Sequence, residues 1–438
     1  MHGVWVDVSP KAGNSDRLRI AGGCVRLRYL DDYLLYFAIF LLIGKSPLSR
    51  FGIPISIPFS GMALFFVLMM IALFSRPPKL IKGRFLPLFA LFSVICFIMI
   101  FSICYARNLE YAFYNYSLPS IMIYLGTTLV YFTIEVNKDL PRLFNYCFAV
   151  SCVMLFLGFA SVLRGGSVER LSVLGGGPNT YYRFMIQGYI LAMYRRTRTN
   201  SIWDLAIAIA FVLFSLATGS KGALAVLLVV MGVQIVQNLR VSKAMLKKTI
   251  FPALSLISLV LFWPSLVGFL SRFFPKVYRA WTVLRYNELV SSTSGAARIN
   301  MIKTAARLIV ERPLFGWGPA GFSEGALRYG VDHPYVHNVV VELFVEYGLF
   351  VGALFGVFLL LTCYRAVSVF KYLKQKENER GLETLLNSSV LLFLNYFVAS
   401  LFSGNVVDAR AVFVFALTTE LIVQRVKERT ECGLCSET

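Results

Sequence analysis

Apolar runs of bilayer-crossing length recur along the whole sequence, and a chain that must satisfy its backbone hydrogen bonds inside lipid has few folds open to it. Bounded by charge, glycine or proline, the runs fall near residues 31–44, 56–74, 86–104, 117–135, 142–163 and 181–194 in the first half. In the second half they fall near 202–217, 219–238, 249–271, 338–362, 385–404 and 410–424. Their lengths predict an all-α, polytopic integral membrane protein of about twelve transmembrane helices. Charged residues make up 15% of the chain, against about 25% in an ordinary soluble domain. No large soluble domain is left over.

The net charge of +20 would suggest nucleic acid as partner in a soluble protein, but here the charges lie mostly between spans, which argues for the lipid bilayer and against nucleic acid. The N-terminal tail, alternate loops and the segment RVKER hold 26 of the 43 Lys and Arg residues. The positive-inside rule then puts both termini in the cytoplasm. The expected organisation is a cytoplasmic tail over 1–30, spans one to nine over 31–271 and a long outward loop over 272–336. Spans ten to twelve follow over 337–424, with a second cytoplasmic tail over 425–438. The first thirty residues lack an apolar core of the kind a cleaved signal carries, so the first span is expected to direct insertion.

Cys96, Cys104, Cys147 and Cys152 lie in or beside spans, where a small polarizable side chain packs well. Cys432 and Cys435 form a lone CxxC, a poor zinc site without a second pair of ligands. The halves of the chain show no convincing repeat.

Loop 272–336 is too long for a plain connector. Within SGAARINMIKTAARLIVERP, Ile299, Ile302 and Ile309 fall roughly on one helical face, away from Arg298, Lys303, Arg307 and Glu311. This predicts an amphipathic helix near the outer membrane surface, with Arg298 at its start. In the following PLFGWGPAGF, the spacing of Gly316, Gly318 and Gly321 mimics a dinucleotide fingerprint, but no strand precedes it and Pro319 interrupts it. The glycines are expected to allow a tight turn that packs on the membrane domain.

Outward-side cations and carboxylates stand out, because a charge within a span usually faces an interior cavity and a partner. VERLSVLGGGPNTYYR carries Arg170 before a glycine run and Arg183 a turn inside the next helix. ATGSKGALA puts Lys221 just within the membrane, where it either turns inward or snorkels to the interface. A short turn supplies Asp408 and Arg410. In HNVVVELFVEYGL, helical geometry sets Asn338, Glu342 and Glu346 on one stripe, with His337 at its top. That stripe must face the protein interior. Glu346 has the alternative of pairing with an arginine of another helix.

Together these residues resemble the O-antigen ligase and polymerase family, bacterial membrane enzymes that handle undecaprenyl-diphosphate-linked glycans at the periplasmic face. HNVVVELFVEYGL is similar to the family's His-Asn-x3-Glu-x3-Glu-x-Gly signature, RPLFGWGPAGF precedes it, and Arg298 opens the loop helix. TGSKGA matches a family position that usually holds arginine, here Lys221. The resemblance implies GT-C-like architecture, no cofactor and no metal, and an undecaprenyl-diphosphate-linked glycan donor with a glycan acceptor. It leaves open whether a chain-length regulator also binds. No DxD occurs in the outward segments, whose aspartates are Asp332 and Asp408. Basic side chains must then stabilise the leaving diphosphate. The roles that follow are Arg298, Lys221 and one of Arg183 and Arg170 on the diphosphate, His337 as general base and Glu342 orienting or stabilising its imidazole. Asn338 and Glu346 would support them. The segment RLSVLGGGPNTYYR resembles polymerase-type members more than ligases. A reading from another class is a secondary transporter using His337, Glu342 and Glu346 as a proton relay.

Overall fold

The computed structural model of the chain describes residues 87–163, 171, 173, 177–239, 293–376 and 379–435. Every regular element among these residues is helical. In chain order they are α1 (Pro87–Phe101), α2 (Leu118–Thr133), α3 (Asp139–Leu163), α4 (Gly177–Thr199), α5 (Ile202–Ala217), α6 (Lys221–Leu239), α7 (Thr293–Glu311), α8 (Gly321–Leu327), α9 (Val339–Leu373), α10 (Arg380–Ser400) and α11 (Arg410–Cys435). Short helical segments at Ser102–Tyr105, Leu109–Ala112, Phe113–Ser117 and Val406–Ala409 join them.

Four of these helices, α1 with its following turn, α3, α9 and α10, are long and apolar enough to cross a membrane, and α5 and α6 are shorter apolar helices. The protein is a multi-pass membrane protein. The runs at 31–44, 56–74 and 249–271 lie outside the described residues. Two helices overrun their expected ends: α9 continues to Leu373, and α11 carries on to Cys435 through the segment expected as a tail.

Two helices form the centre. In α4 every residue from Tyr181 to Ala192 is buried, and in α11 the same holds from Ala411 to Gln424. A helix covered on all sides is enclosed by other helices rather than by lipid. The surrounding helices show large apolar side chains outward, such as Phe156 on α3 and Leu360 and Tyr364 on α9.

Lipid tails are as apolar as leucine, so close packing and interhelical polar contacts must hold such a bundle together. Gly188 on α4 lets the Phe211 ring of α5 approach to where any side chain would collide with it. Gln187, also on α4, donates to Ser151 Oγ of α3 at 3.2 Å and accepts from the Tyr396 hydroxyl of α10 at 2.7 Å. Arg365 of α9 meets Glu420 of α11 at 2.7 Å, an ion pair that lets both charges sit within spans.

Helix α9 is broken at Gly348, where φ is 79° and ψ is −179°. The break withdraws backbone groups from the helical ladder, and in a lipid-bounded interior each must find another partner. The loop before α8 supplies them. Trp317 N–H donates to the Val345 carbonyl at 2.8 Å, Gly318 N–H donates to the Glu346 carbonyl at 2.8 Å, and the Pro313 carbonyl accepts from Leu349 N–H at 2.7 Å. Gly316 has φ of 69°, and a Cβ there would lie 2.6 Å from the Glu346 backbone. The glycines of PLFGWGPAGF thus make the tight turn and the close packing expected of them.

The amphipathic helix of the loop is α7, with two corrections. It begins at Thr293, so Arg298 occupies its second turn rather than its start. Its buried face is Met301, Ala305 and Leu308, packed on Trp317, Phe322 and Ala326, while Ile299 and Ile302 of the expected stripe are exposed. The helix has two apolar stripes, and the one bearing small Ala305 and flexible Met301 fits the close approach of α8. There Gly325 leaves room for Leu308, which a Cβ would meet at 2.8 Å. Lys303 and Arg307 are exposed, as expected.

Candidate active site

The site lies at the end of the bundle where α4, α6, α9 and α11 begin. Asn338 is the N-cap of α9, its side chain accepting from Val340 N–H at 3.1 Å and Val341 N–H at 3.2 Å. It therefore satisfies the helix start instead of joining the glutamate stripe. Immediately before it, His337 has φ of 63°, a left-handed conformation uncommon outside glycine.

That backbone turn carries the His337 ring back over the preceding residues. Its centroid lies 4.7 Å from the His333 ring and 4.5 Å from the Tyr335 ring. His337 Nε2 is 3.3 Å from His333 Nε2, and His333 Nδ1 is 3.0 Å from the Tyr335 carbonyl oxygen. Burial pushes the Tyr335 phenol above its ordinary pKa; the fields of Asp408 and Glu342 add to this, and those of Arg183 and Arg298 oppose it. Charges on α4, α7, α9 and the 406–409 turn thus reach one loop residue beside His337.

Arg183 is buried on α4. Its Nη2 donates to the Ser403 carbonyl at 2.7 Å and to the Ala399 carbonyl at 3.4 Å. It thereby closes the end of α10, as a cation at a helix C-terminus does, while its Nε–H meets no acceptor among the described residues. Arg298 is half-exposed, and its charge reaches Tyr182 as well as Tyr335. Lys221 is the first residue of α6. Its turn is tied to the start of α4 by Ser220 Oγ donating to Asn179 Oδ1 at 3.0 Å. The next residue, Gly222, sits so close to Tyr182 that a Cβ would lie 2.7 Å from its hydroxyl. The GPNTYYR and TGSKGA stretches, separate in sequence, therefore abut. Arg410 opens α11 facing Asp408 and Arg183.

Glu342 and Glu346 are fully buried, so the inward-facing stripe holds. Among the described residues neither carboxylate finds a hydrogen bond of standard geometry. Glu342 lies near the Val406 backbone N–H, Glu346 and Asp408, and Glu346 lies near the Ala320 and Phe322 backbone N–H groups and the Tyr116 hydroxyl. Two expectations change. Among the described residues no hydrogen bond joins Glu342 to the His337 imidazole, which lies within reach of His333. Glu346 pairs with no arginine among the described residues; it faces the loop that docks on the α9 break. Arg170 lies outside the described residues.

Sequence reasoning passed over His333 and Tyr335, although two histidines four residues apart across Pro-Tyr-Val were the available signal. It noted Asp408 and Arg410 without assigning them to the site. No group of three His, Cys, Asp or Glu side chains able to hold a metal ion occurs among the described residues. Positive charge here is carried by Arg183, Arg298, Arg410 and Lys221, which suit a phosphate-like anion, and the imidazole beside them can accept a proton.

The fold and site define a multi-pass membrane protein with one polar, cation-rich end. Residues 205–356 match the family model described as O-Antigen ligase. About a third of the chain is thus similar to that family. The match takes in Lys221, Arg298, His337, Asn338, Glu342 and Glu346, and leaves Arg183 and Arg410 outside it. No curated protein matches the chain.

Proposed function

We propose that the chain is an O-antigen polymerase, an inverting, metal-independent glycosyltransferase of GT-C-like architecture with about twelve spans. It would lie in the bacterial inner membrane with both termini cytoplasmic and its site facing the periplasm. It would join undecaprenyl-diphosphate-linked repeat units. The observation that carries this reading is that Tyr335, whose ring lies 4.5 Å from that of His337, also lies within reach of the charges of Arg183 and Arg298 from two other segments of the chain.

In the proposed reaction, Arg298, Lys221 and Arg183 hold the donor diphosphate. The hydroxyl of the acceptor sugar attacks the anomeric carbon in line, forming the new C–O bond as the bond to diphosphate breaks. The diphosphate leaves with that electron pair, stabilised by the guanidinium groups, and His337 takes the hydroxyl proton. A single displacement inverts the anomeric centre. Glu342 acts through its field on the charged imidazole, since no hydrogen bond links them.

A ligase would use the same donor and attach the finished glycan to lipid A core, and the similarity to the matching family fits either reading. A deletion strain separates them. A strain lacking a polymerase still caps core lipid with one repeat unit; a strain lacking a ligase accumulates full-length lipid-linked chains. The diphosphate role of Lys221 has its own test. Lys221→Arg should keep most activity in complemented cells and Lys221→Ala should lose about tenfold or more, the worth of one charge-assisted contact. Equal activity in the two variants would assign Lys221 to snorkelling.

A further inference from the structure

We propose that His333 is a positioning residue for His337, fixing its tautomer so that Nδ1 is the atom that takes the acceptor proton, and sharing the resulting charge through the Nε2–Nε2 bridge. The proposal rests on the reading of His337 as the base.

The argument starts from the Tyr335 carbonyl. A carbonyl oxygen only accepts, so His333 Nδ1, 3.0 Å away, carries a hydrogen. A neutral imidazole has one donor and one acceptor nitrogen, which leaves His333 Nε2 with a lone pair. His337 Nε2 lies 3.3 Å from it, and two lone pairs do not bond, so His337 Nε2 carries the bridging hydrogen. The lone pair of His337 is then on Nδ1. When Nδ1 accepts a proton, the bridge becomes a charge-assisted hydrogen bond from an imidazolium, stronger than the neutral one.

Local structure fixes this arrangement. Pro334 has a set φ, His337 is held at φ of 63°, and Tyr335 stands edge-on to both rings, at 5.6 Å from His333 and 4.5 Å from His337. The charges that reach Tyr335, which packs against both rings, include Asp408 of the 406–409 turn, Glu342 of α9, Arg183 of α4 and Arg298 of α7. A second proton would set two cations side by side near two guanidinium groups.

The chain has three histidines, so selective 15N labelling of the imidazoles in full-length protein in nanodiscs reads the tautomers directly. The expected result at pH 8 is Nδ1–H on His333 and Nε2–H on His337; Nδ1–H on His337 would overturn the proposal. In turnover of a lipid-linked repeat unit, His333→Phe should lower kcat roughly ten- to hundredfold, the worth of a hydrogen bond to an ionised group. It should also move the acidic limb of the pH–rate profile to lower pH, because the imidazolium loses its acceptor. His333→Gln, whose amide oxygen can accept from Nε2–H, should recover most of the rate. An acidic limb unmoved in His333→Phe overturns the proposal, whatever happens to the rate. His337→Ala run in parallel separates the two readings. Full activity there removes the base itself, whereas an inactive His337→Ala beside an unaltered His333→Phe overturns the role of His333 alone.

Discussion

His337→Ala loses glycan transfer, with turnover falling roughly 10²–10⁴-fold, the range a positioned general base contributes, while the fold survives. The side chain is half-buried at the end of the bundle and makes no contribution to the α9 cap, which Asn338 provides. Truncating it therefore removes the proton acceptor without opening the core. The left-handed backbone at this position is the one structural complication, and His337→Asn controls for it, since asparagine tolerates that conformation better than most residues. Both variants should melt within a few degrees of the wild type and both should be inactive when purified protein is given a lipid-linked oligosaccharide and the products are resolved by length. Wild-type chain lengths from either variant would sink the assignment of the base.

Gly348→Ala disrupts the site from a distance. A residue with φ of 79° and ψ of −179° is in a region open essentially to glycine alone, and strain there is worth about 1–3 kcal/mol. The added methyl would also fall on the Leu314 carbonyl oxygen. The loop would have to back away, and its three hydrogen bonds to Val345, Glu346 and Leu349 would stretch or break. A combined loss of about 3 kcal/mol or more follows from the strain and the unpaired backbone groups. It is read as a lower melting midpoint together with lost activity, since the loop also seats α7 and Arg298. Gly356→Ala on the same helix is the matched control, because a Cβ there meets nothing within 4 Å. It should leave stability and activity unchanged within error. Equal behaviour of the two variants would mean that the α9 break does not depend on glycine.

Much of this was legible in the sequence because a bilayer removes alternatives. An apolar run of spanning length is a helix there, and two glutamates four apart within it must face inward, which fixed the orientation of Glu342 and Glu346. The turn made by Gly316 and Gly318 was also readable, from glycine placement beside proline. Contacts across turns and across the chain were not. His333 reaches His337 only because Pro334 and a left-handed His337 fold the segment back, a geometry that no periodicity announces. Arg183 binds carbonyls more than two hundred residues away. The seating of α7 was not legible because the helix carries two apolar stripes, and the one bearing Met301, Ala305 and Leu308 is buried, with Leu308 filling the space left by Gly325.

The docking of residues 313–318 on the α9 break has a consequence for biogenesis. The loop precedes α9 in the chain, so on the proposed orientation it has already been exported when α9 enters the membrane. The broken span then arrives with its complement waiting, and its loose backbone groups at the outer leaflet are covered as it is released sideways into lipid. Were the order of the two segments reversed, the span would have to sit uncovered until synthesis caught up, exposed to quality-control proteases at its weakest point.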